Sequence, residues 1–242
     1  MRWAIVSDIH SNLEALDAVL ADLEREGTES LVCLGDFVGY GASPNECIER
    51  LRPRLAVAVA GNHDWAACGR MRLGSFSGDA AQAARWTGTL LTPENREYLL
   101  GLPLTAHWQD ALLVHAAPAN PDRWAYVLSP ADAAEELRAY EERLGFIGHS
   151  HYPGAFEQDE RGGIRYTREA GIRLVPGHRY LVNVPSVGQP RDGDPRAGYL
   201  LVDESAGTLA QVRIGYDVDG AMRRIRDAGL PRFLSERLLA GE

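Results

Sequence analysis

Three apolar runs of the sequence each end in side chains that bind metal ions or transfer protons. The runs cover 3–6, 31–34 and 55–60, and the polar residues that follow them are Asp8, His10, Asp36, Asn62, His63 and Asp64. Short apolar runs bounded by glycine or proline are typical of buried strands. Open α/β sheets bind their ligands at the carboxyl ends of the strands. The sequence therefore predicts that these residues share one site.

Histidines recur at the same kind of position. Five of the seven follow predicted strands, namely His10, His63, His115, His149 and His151. The other two, His107 and His178, are expected to be ordinary surface or core residues. Burying unpaired imidazoles and carboxylates is costly, so a purely structural role does not explain the repetition. Imidazole and carboxylate ligands together suit Mn, Fe, Co, Ni or Zn better than Ca or Mg.

The composition argues against several classes of function. The chain has 242 residues, 45% of them hydrophobic, and a formal charge of −9. That charge argues against general binding to nucleic acid or to anionic membranes, because both depend on Lys/Arg surfaces. No apolar stretch approaches the roughly 20 residues of a membrane span, and a predicted strand follows Met1 directly, so no signal peptide is expected. The three cysteines make no disulfide framework, and we expect a cytoplasmic protein.

Strands and helices alternate along the first part of the chain. Strands are predicted at about 2–7, 30–34, 55–60, 104–108, 111–114 and 144–147. The first helix is predicted to begin at Ser11, with Glu14 three residues later completing a capping box, and to end at Gly27. The start of this helix then lies beside the candidate residues that follow the first strand.

The later part of the chain has a different pattern. Residues 65–103 carry no strand signal and predict a helical insertion that caps the site. Residues 152–214 alternate in the manner of antiparallel strands, and helices are predicted over 217–227 and after Pro231. Because no repeat or linker interrupts the chain, we expect a single domain over 1–242.

Taken in order, the polar blocks resemble those of a known family. They read Asp8-Ile9-His10, Gly35-Asp36, Gly61-Asn62-His63-Asp64, His115 and Gly148-His149-Ser150-His151. Together they resemble the five blocks of the calcineurin-like metallophosphoesterase superfamily. The stretches 35–41 and 183–194 resemble its small bacterial branch of diadenosine tetraphosphatase-like enzymes and phosphodiesterases. The resemblance implies an α/β fold: a four-layer α/β/β/α sandwich of two mixed sheets, with metals at the strand ends and a helical cap insertion.

The resemblance also implies a role for each polar residue. One ion would be bound by Asp8, His10, Asp36 and His151, and a second by Asp36, Asn62, His115 and His149, with Asp36 bridging. The two ions would be divalent transition metals, with manganese favoured over iron, zinc, nickel or cobalt. A metal-bridging hydroxide would attack phosphorus. His63 would act as general acid, and Asp64 would hold its tautomer and raise its pKa. The alternative for Asp64 is that it caps the next turn.

One departure from the family pattern bears on the substrate. Phosphoprotein phosphatases of this superfamily carry an arginine that grips substrate phosphate where this chain has Tyr40. A bidentate arginine matters most for the dianion of a phosphate monoester. Small phosphodiesters are therefore favoured as substrates, and Arg191 is the residue that could substitute for the missing arginine.

Other functions remain open at this point. Within the superfamily, the chain could be a phosphomonoesterase or a dinucleoside polyphosphate hydrolase. A catalytically silent binding module on the same fold would show gaps among the ligand residues, and the sequence has none. A nuclease acting on polymers conflicts with the acidic charge and with the lack of a basic, aromatic-rich face.

Overall fold

Two six-stranded mixed sheets form the centre of the computed structural model, which describes residues 1–242. Along the chain the strands are β1 (Arg2–Val6), β2 (Ser30–Cys33), β3 (Leu55–Ala58), β4 (Thr105–Trp108), β5 (Ala111–Val114), β6 (Leu144–Ile147), β7 (Gly154–Gln158), β8 (Ile164–Thr167), β9 (Gly171–Arg173), β10 (Arg179–Asn183), β11 (Ala197–Asp203) and β12 (Thr208–Ile214). The helices are α1 (Leu13–Glu26), α2 (Pro44–Leu51), α3 (Asn62–Ala67), α4 (Gly78–Leu90), α5 (Pro93–Gly101), α6 (Pro130–Glu136), α7 (Val218–Asp227) and α8 (Arg232–Ala240). One sheet has the order β3-β2-β1-β11-β12-β9, and the other has the order β4-β5-β6-β10-β7-β8.

Each sheet contains a set of parallel strands whose carboxyl ends meet at one edge. In the first sheet β1, β2 and β3 are parallel, and in the second β5, β6 and β10 are parallel. A parallel bridge between Ser7 and Ser186 links the two edges just beyond β1 and β10. The antiparallel pairing predicted for 152–214 is confirmed for most of this region, but β10 is parallel to β6 on one side.

The two sheets pack face to face through large apolar side chains. Trp3 and Phe146 meet edge to face with ring centroids 5.7 Å apart, and both are buried with Ile5 and Tyr180 in the same cluster. Burial of such a side chain contributes about 1.5–3 kcal/mol. Helices α1 and α2 cover the outer face of the first sheet, and α6 covers the second. The four-layer sandwich expected from the resemblance is confirmed.

The first helix begins later than its capping pattern predicted. Asn12, not Ser11, is the N-cap residue, and its side-chain oxygen accepts a hydrogen bond from Ala15 N at 3.1 Å. Ser11 has a left-handed backbone (φ 53°), and its N–H donates to the carbonyl oxygen of Phe37. The predicted start at Ser11 is therefore wrong by one residue, because a neighbouring loop takes up that backbone. Gly27 ends the helix as expected.

The helical insertion after β3 is confirmed, with α4 and α5 within it. Ala83 of α4 lies in one apolar cluster with Met222 of α7 and Leu234 of α8. The C-terminal helices thus pack beside the insertion. None of the helices combines the length and the apolar character that crossing a membrane requires. Cys33 and Cys47 are buried free thiols, as expected.

Candidate active site

The sheet edges bring all seven predicted metal-binding residues into one buried cluster. Each follows a strand of the parallel sets, and each is at most 8% exposed to solvent; they are Asp8, His10, Asp36, Asn62, His115, His149 and His151. His107 and His178 lie elsewhere, with Nδ1 2.6 Å and 2.8 Å from carboxylate oxygens of Glu142 and Glu157. The structure thus places the five histidines that follow strands apart from the other two.

A first group of potential ligand atoms comes from Asp8, His10 and His151. All three ligand atoms lie within 4.8 Å of one another. The Nε2 atom of His151 is 3.1 Å from Asp8 Oδ1, and the Nε2 atom of His10 is 3.8 Å from the same oxygen. The two imidazole nitrogens are 3.1 Å apart. Nitrogen and carboxylate oxygen atoms therefore converge on one point.

A second group, Asp36, His115 and His149, satisfies the same 4.8 Å criterion. Asp36 Oδ2 lies 3.3 Å from His115 Nε2 in this group and 3.7 Å from His10 Nε2 in the first group. This carboxylate oxygen therefore stands between the two groups. Beside it, Asn62 Oδ1 is buried without a hydrogen-bond partner.

Backbone carbonyls orient the imidazole rings. His10 Nδ1 lies 3.2 Å from Val38 O, and His115 Nδ1 lies 2.7 Å from Leu34 O. His151 Nδ1 pairs with Gln189 O, whereas in His149 it is Nε2 that lies 2.9 Å from Trp124 O. A carbonyl oxygen accepts only the tautomer protonated at the facing nitrogen, so the opposite nitrogen keeps its lone pair for a metal. The donor set and the buried, unpartnered oxygen of Asn62 therefore fit divalent transition-metal ions.

The electrostatics of the cluster agree with cation binding. Burial lowers the pKa of His10 well below its ordinary value, and it lowers the pKa of His149 to about 3, so both imidazoles are neutral. Burial also opposes protonation of His115, but the Asp36 carboxylate raises the pKa of His115 to about 9. Burial disfavours the charge of Asp36, yet the surrounding imidazoles hold its pKa below its usual range. A proton on His115 thus partly compensates this carboxylate, and a metal ion would displace that proton.

Backbone strain is concentrated at this site. Nine residues other than glycine have a positive φ, and eight of them belong to the cluster or its rim: Asp8, His10, Ser11, Asp36, Tyr40, Trp124, His149 and His151. Each such residue costs about 1–3 kcal/mol unless its surroundings impose the conformation. A Cβ added to Gly61 would lie 2.0 Å from Asp36 Oδ1, so only glycine allows this close approach of the two loops. Strained loops of this kind are typical of functional sites.

His63 lies over the cluster and borders a cavity. Its N–H donates to Asp36 Oδ1 at 2.8 Å. Its ring centroid is 4.4 Å from that of Tyr40 and 4.8 Å from that of Phe76. Nδ1 has no hydrogen-bond partner, and burial lowers the pKa of the His63 imidazole to about 4.

The prediction that Asp64 orients His63 and raises its pKa is wrong. Asp64 Oδ2 accepts hydrogen bonds from the N–H groups of Asp36 and Gly61, both at 2.9 Å, and Oδ1 accepts from Val38 N at 3.2 Å. Asp64 is the third residue of α3, and adjacent residues of a helix do not face each other. The capping alternative is therefore correct, and Asp64 ties three loop N–H groups together.

A cavity of about 410 Å³ opens over the cluster. Its lining includes Phe76 from the insertion and Trp124 and Tyr126 from the loop before α6. The Tyr126 ring stacks on that of His149, with centroids 4.3 Å apart and planes at 12°. These three aromatic residues were not among those predicted from the sequence. Trp124 and Tyr126 lie in the loop that follows His115, a histidine at a predicted strand end, and this position is the signal that would have indicated them.

Tyr40 and Arg191, which the sequence relates to substrate binding, also reach this cavity. Arg191 Nη2 lies 3.2 Å from the hydroxyl oxygen of Tyr40, and both side chains line the wall. Arg237 of α8 also lines the cavity, although it was not predicted from the sequence. The sequence around Arg237 carries no distinguishing signal, because arginines are common on the polar face of an ordinary helix.

Comparisons with known proteins identify several relatives of this chain. The calcineurin-like phosphoesterase superfamily domain matches residues 1–207. An uncharacterized protein of Methanocaldococcus jannaschii is 40% identical over 242 residues, covering 98% of this chain and 97% of that protein. The crystal structure of a metallophosphoesterase from Sphaerobacter thermophilus superposes with a TM-score of 0.89 at 38% identity, covering 100% and 99% of the two chains. Phosphodiesterase YfcE of Escherichia coli is 27% identical over 230 residues, covering 88% and 98%. The chain therefore belongs to the calcineurin-like phosphoesterase superfamily and is a phosphoric ester hydrolase.

Proposed function

We propose that this chain hydrolyses phosphodiester bonds of small phosphorylated substrates with the help of two divalent transition-metal ions. The observation that carries the proposal is the position of Asp36 Oδ2. It lies 3.7 Å from His10 Nε2 and 3.3 Å from His115 Nε2, between two separate groups of ligand atoms. A pair of ions needs a shared anionic ligand of this kind.

The proposed ligand sets follow the two groups. Asp8, His10, Asp36 and His151 would hold one ion, and Asp36, Asn62, His115 and His149 would hold the other. The unpartnered Oδ1 of Asn62 supports the second set, because buried polar atoms normally have a partner. The mixture of imidazole, carboxylate and amide donors suits Mn²⁺ and its neighbours in the first transition row.

The ions, when bound, supply a Lewis acid for the phosphoryl oxygens and lower the pKa of water. The protein's own groups position the substrate and move a proton. We propose that His63, which borders the cavity over the cluster, takes up a proton when the negative charge of a bound phosphate raises its pKa, and donates that proton to the leaving-group oxygen. Asp64 would act indirectly, because its three backbone hydrogen bonds hold the loops that carry Asp36 and His63.

Three features support diesters over monoesters. Tyr40 occupies the position of the phosphate-gripping arginine noted in the sequence. The cavity of about 410 Å³ has room for a substituent on each side of a phosphate group. YfcE, a relative that is 27% identical, is itself named a phosphodiesterase.

The test combines elemental analysis with a substrate comparison. After reconstitution with Mn²⁺, we expect two ions per chain and a higher kcat/KM on bis-p-nitrophenyl phosphate than on p-nitrophenyl phosphate. The exposed His107→Gln variant is the control for the general effect of losing a histidine, and it should match the wild type. One ion per chain would contradict the two-ion site, and a higher kcat/KM on the monoester would contradict the diester preference.

A further inference from the structure

Two half-buried arginines meet at the rim of the cavity, opposite the acidic and imidazole cluster. Arg191 comes from the loop after β10 and Arg237 from α8. Both lie over the ring of Tyr40, with the guanidinium carbons 5.7 Å and 6.0 Å from the ring centroid. Burial and the nearby charge of Arg191 lower the pKa of Arg237, which shows that the two cations are close to each other.

Neither arginine forms an ion pair with a carboxylate side chain, although the charge of Glu242 acts on Arg237. Arg191 Nη2 donates only to the neutral oxygens of Tyr40 at 3.2 Å and Gln189 at 2.9 Å, and Arg191 Nε is buried without a partner. The Nε of Arg237 donates to the main-chain oxygen of Glu242. By contrast, Arg232 on the same helix pairs with Glu236. Two adjacent, part-buried cations in a protein of net charge −9 are unfavourable unless an anion joins them.

Arg191 and Arg237 lie beside the cluster of predicted metal-binding residues but are not part of that cluster. Only the Tyr40 ring separates Arg191 from His10, since the His10 and Tyr40 centroids are 4.6 Å apart. An anion held by the arginines therefore lies about one side chain's width from a phosphate at the cluster. That separation is within the span of one small organic phosphate, such as a nucleoside carrying two phosphate groups.

We propose that Arg191 and Arg237 form a subsite for a second phosphate group of the substrate, distinct from the phosphate that is hydrolysed. The inference rests on the proposed function for the identity of the first phosphate. It makes the arginines specificity-determining residues and narrows the substrate class to diesters that carry a further phosphate. Guanidinium groups are suited to this because they donate several hydrogen bonds to phosphate oxygens in a fixed geometry.

The test uses two chromogenic diesters that differ in one group. These are the p-nitrophenyl ester of thymidine 5′-phosphate and the same ester carrying a 3′-phosphate. In the Mn²⁺-loaded wild type, we expect the 3′-phosphate to raise kcat/KM by about 10–100-fold, the effect of one or two charge-assisted hydrogen bonds. Arg191→Gln and Arg237→Gln should each reduce this ratio markedly, and the double variant should bring it close to 1. The matched control, Arg232→Gln, changes a paired arginine on the same helix and should keep the full ratio.

A binding measurement separates this inference from the proposed hydrolysis. Isothermal titration calorimetry compares thymidine 3′,5′-bisphosphate with thymidine 5′-phosphate on the same four variants and the wild type. Tighter binding of the bisphosphate that depends on both arginines, without hydrolysis of either ester, would support the subsite and contradict the proposed function. A 3′-phosphate with no effect on either measurement in the wild type, or an effect that survives the double variant, would overturn the subsite.

Discussion

Replacing Asp64 by asparagine tests whether this residue supports the active-site loops or acts on His63. The carboxylate accepts three backbone hydrogen bonds, two at Oδ2 from Asp36 and Gly61 and one at Oδ1 from Val38. It is fully buried. An asparagine has one acceptor oxygen, so at best it keeps the two bonds on one side and turns its NH₂ group toward the N–H of Val38.

The structure allows the cost to be estimated. A buried N–H left without an acceptor costs about 1–3 kcal/mol. Burial raises the pKa of Asp64 to about 8, so above that pH the two remaining bonds are also weakened by loss of the charge. At pH 9 we therefore expect Asp64→Asn to lower the free energy of unfolding by about 2–4 kcal/mol. At about 3 °C per kcal/mol for a chain of this size, Tm should fall by about 6–12 °C.

Asp132→Asn is the matched control. Asp132 occupies the same third position of a capped helix, α6, and its Oδ2 also accepts two backbone N–H bonds, from Leu128 and Ser129. It is exposed, so water can replace a lost bond, and we expect a loss below about 1 kcal/mol. Thermal unfolding of the metal-depleted proteins measures both variants without a contribution from bound ions.

The activity of Asp64→Asn completes the test. The Asp64 carboxylate holds the loops that carry Asp36 and His63. Its replacement should therefore slow the hydrolysis of substrates with good and with poor leaving groups by the same factor. The supporting role of Asp64 is contradicted if Asp64→Asn is no less stable than Asp132→Asn, or if the substitution slows only substrates whose leaving group needs a proton.

Three other predictions follow from the structure. His63→Gln should keep both ions but lose about 10²–10⁴-fold in rate on diesters with poor leaving groups, and less on p-nitrophenyl esters, because p-nitrophenolate leaves without a proton. Asp36→Asn should lower the Mn²⁺ content of both sites together, measured by elemental analysis, since one carboxylate faces both groups of ligands. Glu157→Gln should lower the stability at pH 7 by about 1–2 kcal/mol, since Glu157 accepts hydrogen bonds from Tyr180 at 2.9 Å and Arg165 at 2.6 Å and Arg165 is largely exposed. Burial opposes the charge of Glu157, but these partners and His178 lower its pKa to about 2, so this contribution is present above about pH 4.5 and is lost as pH falls toward 2.

Each of these has a contradicting result. Equal slowing of both kinds of ester by His63→Gln, or loss of an ion, would exclude His63 as the acid. Loss of a single ion in Asp36→Asn would mean that this carboxylate serves one site only. Equal stability of Glu157→Gln and the wild type at pH 7, in urea titrations, would show that the Glu157 cluster contributes nothing.

The sequence alone determined the types and order of the residues that meet at the cluster. Asp8, Asp36 and Asn62 each follow an apolar strand within a few residues, so their placement depends on the local rule that a sheet edge gathers strand ends. The same locality made the helices of the insertion and the end of α1 at Gly27 predictable, because caps are set by neighbouring residues.

Only the tertiary structure decided what these residues contact. Asp64 follows His63 directly in sequence, yet its hydrogen bonds reach Asp36 and Val38, 28 and 26 residues away. Arg237 reaches the cavity because α8 packs beside the insertion, a contact that no local pattern encodes. Contacts of this kind depend on how whole elements pack, whereas hydrophobic periodicity and capping describe one element at a time. The sequence could therefore indicate which residues gather at the cluster, but the structure was needed to show which residues hold them in place and what else lines the cavity.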